Sequence, residues 1–159
     1  VRSIKQIVKF MDQKHVDFIS CNRFPLKRNR AISWVRQLGI HILNIETFLL
    51  YGYPIRDILT GMWVVRKETV DALDMRAGDW NFSPEIKLAA LTNKRIEFAE
   101  YHIDHFERLH EPSKQNLFRT GFMHMNYIAM RWLTVDNIAV QTVKALKRFV
   151  GSRLAYYTL

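Results

Sequence analysis

Two periods alternate along the chain. Ile4, Ile7, Val8 and Met11 fall at helical spacing, with Lys5, Lys9, Asp12 and Gln13 on the other side, which predicts an amphipathic helix over Ile4 to Lys14. In "VDFISCNRF", Val16, Phe18, Ile19 and Cys21 read as a short buried strand ending at polar Asn22 and Arg23. "PLKRNR" is a basic loop opened by Pro25. From Ala31 to Tyr51 the residues Ile32, Val35, Leu38, Ile42, Ile45 and Leu49 recur every three or four positions, which predicts a long helix stopped by Tyr51-Gly52-Tyr53-Pro54. "MWVVRK" reads as a second short strand and "KETVDALDM" as a helix whose early acid, Glu68, suits its dipole. "PEIKLAALTNK" reads as a helix with Ser83 as cap and Pro84 at its first position. "RIEFAEYHIDHF" alternates Ile96, Phe98, Tyr101 and Ile103, a strand with a register change near Ala99.

The last third is helical in pattern. Leu117, Gly121, Met125, Ile128 and Trp132 form one stripe, and Val140, Val143, Leu146 and Val150 another, opposed by Lys144, Lys147 and Arg148. Arg119, His124, Asn126, Arg131 and Asp136 interrupt every window long enough to cross a bilayer. The basic second stripe instead suits a helix lying on an anionic leaflet, or one packed on the domain. The order helix, strand, helix, strand, helix, helix, strand, helices is that of an α/β layer protein.

Composition narrows this picture. A 159-residue chain that is 48% hydrophobic holds enough apolar material for one packed domain, which argues against disorder. Cys21 is the single cysteine, which excludes an intrachain disulfide framework and a Cys-based metal cluster and points to a reducing compartment. The chain opens on Val1 with an amphipathic segment in place of the charged and apolar regions of a signal peptide, so the N-terminus reads as a cut inside a longer protein. Net charge is +9 and lies at the ends: residues 1–36 carry nine Lys/Arg against two acids, 37–114 nine against twelve, and 115–159 six against one. Basic ends around a balanced middle suit a surface that meets polyanions, or simply a solvated basic surface.

Three clusters can carry chemistry. Arg56, Asp57, Thr60 and Gly61 put a cation, an acid, a hydroxyl and a glycine at a turn before a buried strand, which is either a phosphate- or sugar-facing edge or a capped turn. In "DWNFSPEI", Trp80 and Phe82 precede Glu85, either rings and a carboxylate around a sugar or a core aromatic pair beside a dipole-favoured acid. In "FERLHEPSKQ", Arg108 and Lys114 bracket Ser113, two cations and a hydroxyl able to close on phosphate oxygens, or a solvated loop. The six histidines show no metal spacing, and His102 and His105 read as ordinary surface or half-buried residues. GxGxxG, the P-loop, GxSxG and DxD are all absent.

Taken together, "CNRF", "DILTGMW", "FSPEI" and "RLHEPSK" resemble, in order and spacing, the second half of a family 2 glycosyltransferase, the group that includes dolichol-phosphate mannosyltransferases and other polyprenyl-phosphate sugar transferases. The family pattern is a strand ending in Gly-Ser-Arg-Phe, a long helix, Asp-x-x-Ser-Gly-Phe-Arg and a strand, a Phe-x-x-Glu helix, then Arg followed by Ser-Lys. The resemblance spans about Val1 to Tyr127. It implies an α/β fold of the GT-A, Rossmann-like type, present in part: residues 1–115 as the acceptor-side half, with 116–159 as C-terminal amphipathic helices. The nucleotide-binding half, with the acidic motif that holds Mg or Mn, would lie upstream, and no metal site is expected within this chain.

By the same resemblance Asp57, Glu85 and Arg108 are the catalytic candidates, and Arg23, Arg36, Thr60, Ser113 and Lys114 bind the acceptor or its phosphate. The implied reaction is inverting sugar transfer from a nucleotide-diphosphate donor to a lipid-linked phosphate, by an enzyme on the cytoplasmic side in peripheral contact with a membrane. This chain alone would be inactive without its donor half. Two departures stand out: Thr60 replaces Ser and keeps the hydroxyl, while Trp63 stands where the family has Arg and offers an indole to a sugar or isoprenoid instead. The alternatives are a non-catalytic binding module and a basic nucleic-acid-binding domain; the second lacks any recognition motif, and the acidic middle opposes a phosphate track.

Overall fold

The computed structural model describes residues 2–27, 32–104 and 116–135. Over these the chain is mixed α/β, with five helices and a three-stranded mixed sheet in the order β2-β1-β3. α1 (Arg2–Lys14) buries Ile7, Phe10 and Met11, while Ile4 and Val8 stay exposed. It closes with His15 in the left-handed region, φ 52°, so that His15 N–H reaches Asp12 O and Val16 N–H reaches Met11 O. β1 (Phe18–Asn22) is the central strand and is buried throughout. Ile19 and Cys21 face α1, and Phe18 faces the opposite side with Ile86, Ala89 and Ala90.

β2 (Trp63–Val65) pairs antiparallel to β1, and β3 (Phe98–His102) pairs parallel to it in an unbroken register from Phe18↔Phe98 to Asn22↔His102. No slip occurs at Ala99. Ala99 and Tyr101 join the α1 side and Phe98 the other, which is plain strand alternation.

α2 (Trp34–Tyr51) forms as its periodicity predicts and stops at Gly52, φ 74°, whose N–H bonds Phe48 O. Its inward face, however, is Ile40, Leu43, Asn44, Thr47 and Tyr51, and the stripe Leu38, Ile42, Ile45, Leu49 points outward. Apolar residues occupy both faces of this helix, so spacing alone selects neither.

α3 (Lys67–Val70) is a single helical turn, shorter than "KETVDALDM" suggests, because tighter bonds from Ala72 N–H to Thr69 O and Leu73 N–H to Val70 O turn the chain away. α4 (Phe82–Thr92) begins earlier than expected: Asn81 takes the cap position, so Pro84 is third in the helix, not first, and Ser83 lies inside it. Residues Pro84 to Leu91 of α4 are all buried, because the helix lies between the sheet and a cluster formed by α2, the 53–58 segment and α5. α5 (Leu117–Val135) packs on α2 and α4 through Ile128, and Tyr51 Oη donates to Ile128 O at 3.0 Å. The basic stripe at 140–150 lies outside the described residues. Among the described residues no helix is long and apolar enough to cross a membrane.

Candidate functional site

The topology brings three segments to one edge of the sheet. β1 and β3 are parallel, so both carboxyl ends, Asn22-Arg23 and His102 to Asp104, emerge together, with Ile103 N–H donating to Asn22 O at 2.9 Å. β2 runs the other way, so the chain that enters it, residues 56–62, lies at the same edge, and Cys21 N–H donates to Met62 O. Ligands of α/β sheets are generally found outside the carboxyl ends of parallel strands.

Segment 56–60 belongs to no helix or strand, yet Asp57, Ile58 and Thr60 are buried. Buried backbone polar groups must find partners, and here side chains from three elements supply them. Glu100 of β3 accepts Arg56 N–H through both carboxylate oxygens, at 3.0 and 3.2 Å. Asn44 of α2 donates to Arg56 O at 2.6 Å and accepts Ile58 N–H at 3.0 Å. Lys87 of α4 donates to Asp57 O, Ile58 O and Thr60 O at 2.9, 2.9 and 2.7 Å.

Arg23, at the end of β1, reaches the Asp57 carboxylate through Nε at 2.6 Å and Nη2 at 2.8 Å, and its backbone N–H adds a third bond at 3.2 Å. This fork-on-carboxylate geometry fixes the plane of the guanidinium. It leaves Nη1 without a partner among the described residues.

Lys87 is the most unusual group among the described residues. Its side chain is fully buried, and three carbonyl oxygens meet the three protons of an ammonium one for one. Burial pulls its pKa down to about 7, opposed by the Asp57 carboxylate. Glu100 is shifted the other way, up to about 7, chiefly by burial and against the Arg56 N–H bonds. The Cys21 thiol beneath them is pushed up to about 12 by burial, which makes it a poor nucleophile.

Beside this clamp, His102 Nδ1 lies 3.3 Å from Asn22 Oδ1 and its Nε2 3.8 Å from Asp104 Oδ1, while Lys27 Nζ pairs with Asp104 Oδ2 at 2.6 Å. The edge therefore carries Arg23, Lys27 and His102 with Asp57 and Asp104, a polar rim on an apolar fold.

The sequence candidates divide cleanly. Arg23, Asp57 and Thr60 come together at this edge. Thr60 is buried, its Oγ1 accepting Met62 N–H at 3.4 Å, so it shapes the turn. Glu85 does not join them in a reactive role: its oxygens accept Arg76 N–H at 2.9 Å and Ala77 N–H at 2.7 Å, and Arg131 lies 3.4 Å away. A carboxylate so enclosed pins the 76–77 turn to α4 and leaves no face for a substrate proton. The same holds of Asp57, which therefore orients Arg23 rather than serving as a base. Arg36 is half-buried in the first turn of α2 and pairs with no other described residue.

Trp63 is half-buried among Phe18 and Phe82, with ring centroids at 6.3 and 6.0 Å, so its indole is core packing rather than an open platform. Trp80 is exposed. Arg108, Ser113 and Lys114 lie outside the described residues. Lys87, Glu100, Asn44 and His102 were missed: a Lys and a Glu inside a periodic segment read as surface, and only the fold turns them inward. Among the described residues no three His, Cys, Asp or Glu side chains stand close enough together to hold a metal ion.

Comparison with known proteins adds no relative. No family model matches the chain, and no curated protein and no solved structure matches it.

Proposed function

We propose that this chain is the acceptor-side half of an inverting glycosyltransferase of the family 2 type, on a partial GT-A, Rossmann-like fold, that transfers a sugar from a nucleotide diphosphate to a lipid-linked phosphate. The observation that carries the reading is the Arg23–Asp57 pair at the carboxyl edge of the parallel strands, backed by the Lys87 clamp on the turn that holds Asp57. A phosphate acceptor is already anionic, so a fixed cation that positions it matters more than a general base. Arg23 fits that need: Asp57 holds two of its nitrogens, and Nη1 remains to take a phosphate oxygen.

Thr60 and Lys27 border the same edge. Arg36 is a weaker acceptor ligand on this reading, since nothing brings it to Asp57. Arg108 enters only through the resemblance, as the group that would stabilise the leaving diphosphate, and so do Ser113 and Lys114, as groups that would bind the acceptor or its phosphate. A divalent Mg or Mn would come with the upstream half; among the described residues no His, Cys, Asp or Glu cluster fits such an ion. The enzyme would work on the cytoplasmic face, in peripheral contact with a membrane.

A second reading, a non-catalytic binding module, is favoured by one observation: Asp57, Glu85 and Lys87 are all satisfied by the protein itself. Sugar transfer to an isoprenoid phosphate, assayed with the protein as its source makes it, separates the two. The transferase reading expects Arg23→Gln to lower kcat/KM by about a hundredfold, the scale of a lost transition-state cation contact. Unchanged turnover in both Arg23→Gln and Arg108→Ala would leave the binding module standing.

A further inference from the structure

The outer surface of α2 has a composition that no part of the site explains. Its exposed positions are Trp34, Leu38, His41, Ile42, Ile45, Phe48 and Leu49, so His41 is the one polar side chain on a face four turns long. Trp34 and Leu49 are 73% and 72% exposed. Soluble helices normally place charge on that side. α5, which packs on α2, repeats the feature with Phe118 at 81% and Phe122 at 67%, followed by Met125 and Leu133. Large apolar side chains on two adjacent helices exceed the scattered exposure that any surface shows.

The charges around these faces select the occupant. α5 contains no Asp or Glu, and the only acid of α2 is Glu46, half-buried and pushed up to about 7 by burial. No carboxylate is exposed on either helix. The basic groups lie at the margins: Arg36 is in the first turn of α2, Arg119 stands exposed beside Phe118, and Lys27, paired with Asp104, is exposed on the chain leading to α2. In sequence, residues 23–45 hold Arg23, Lys27, Arg28, Arg30 and Arg36 without one acid.

We infer that the outer faces of α2 and α5 dock on an anionic lipid bilayer, their apolar side chains entering the acyl boundary and their marginal cations meeting the headgroups. The helices lie on the membrane and do not cross it, since neither is apolar enough to span. A protein partner with a matching apolar face would not account for the lack of an exposed acid on both helices. The inference rests on the proposed transferase reading only for what docking achieves: the chain from Arg23 to Trp34 joins the site to the docked helix, so a lipid-borne phosphate would arrive beside Arg23.

Vesicle sedimentation tests the docking without sugar, donor or isoprenoid, so its failure leaves the transferase reading untouched. The chain is expected to bind vesicles of phosphatidylcholine and phosphatidylglycerol in equal parts and to bind pure phosphatidylcholine far less. Leu38→Glu with Ile45→Glu should weaken binding about tenfold or more, because two apolar side chains leave the acyl boundary and two anions replace them. Brominated lipid should quench tryptophan emission in the wild type and not in Trp34→Phe, a readout that survives should the double variant fail to fold. Equal binding of the double variant, or no quenching through Trp34, overturns the proposal. So does a protein that ignores vesicles and instead forms a dimer abolished by the same double variant.

Discussion

Segment 56–60 and the outer face of α2 solve opposite problems. The first is polar backbone held in the interior, and every backbone group named above has a side-chain partner from α2, α4 or β3. The second is apolar side chain held at the surface, with no partner from the described chain. The difference is instructive because α2 serves both: Asn44 on its inward face ties the segment, and Ile42 and Ile45, two and one residues away, point outward. A fold that sends a Lys inward and a Trp outward spends stability on something other than packing. The clamp fixes the cation Arg23, and the outer face supplies contact with whatever carries the anion.

Changes in the clamp should be severe. Lys87→Met removes a buried ammonium and leaves three carbonyls unpaired, so thermal or urea unfolding should show a loss of about 3–5 kcal/mol. Asn44→Ala orphans Arg56 O and Ile58 N–H in one step and should cost about 2 kcal/mol by the same measurement. On the outer face, Ile45→Glu touches nothing that the fold needs and should stay within about 0.5 kcal/mol of wild type. If Ile45→Glu proved as damaging as Asn44→Ala, the two regions would not differ as argued.

Titration sharpens the comparison further, with a smaller effect. Glu100 has its folded pKa raised from 4.5 to about 7, so its contribution to stability is full below 4.5 and is lost as pH rises to 7. Lys87 has its folded pKa lowered from 10.5 to about 7, so the unfolded chain binds the extra proton between those values and stability should rise over pH 7 to 10.5. The two slopes have opposite sign and meet near neutrality. Glu100→Gln should flatten the acid-side slope and leave the alkaline one, as measured by urea midpoints across pH.

The strands and α1 were legible because each presents one apolar face or one short buried run, and local spacing then determines the element. α2 was legible as a helix but not in its orientation, since Leu38, Ile42, Ile45 and Leu49 repeat as regularly as the residues that pack inward. The cap of α4 lies at Asn81 and not at Ser83 because both residue types permit a helix start, and Asp79, which accepts Asn81 N–H at 2.8 Å, sets the turn that decides between them. Within the site, Asp57 stood out in its own turn and Arg23 through a resemblance, and their pairing gave no local signal, as 34 residues separate them. Lys87, Glu100 and His102 gave no signal, because their roles arise from parallel pairing and from a helix buried on all sides, both of which are properties of the assembled fold.

The central claim is that a buried clamp holds Arg23 in place for a phosphate, and titration with farnesyl phosphate, followed calorimetrically, tests it most directly. The account predicts saturable binding to the wild type, weakened about tenfold or more in Arg23→Gln at unchanged circular dichroism, as expected for a lost charge-assisted bond. Equal affinity in the two proteins would mean that the Arg23–Asp57 pair is only a structural tie, and the claim would fail.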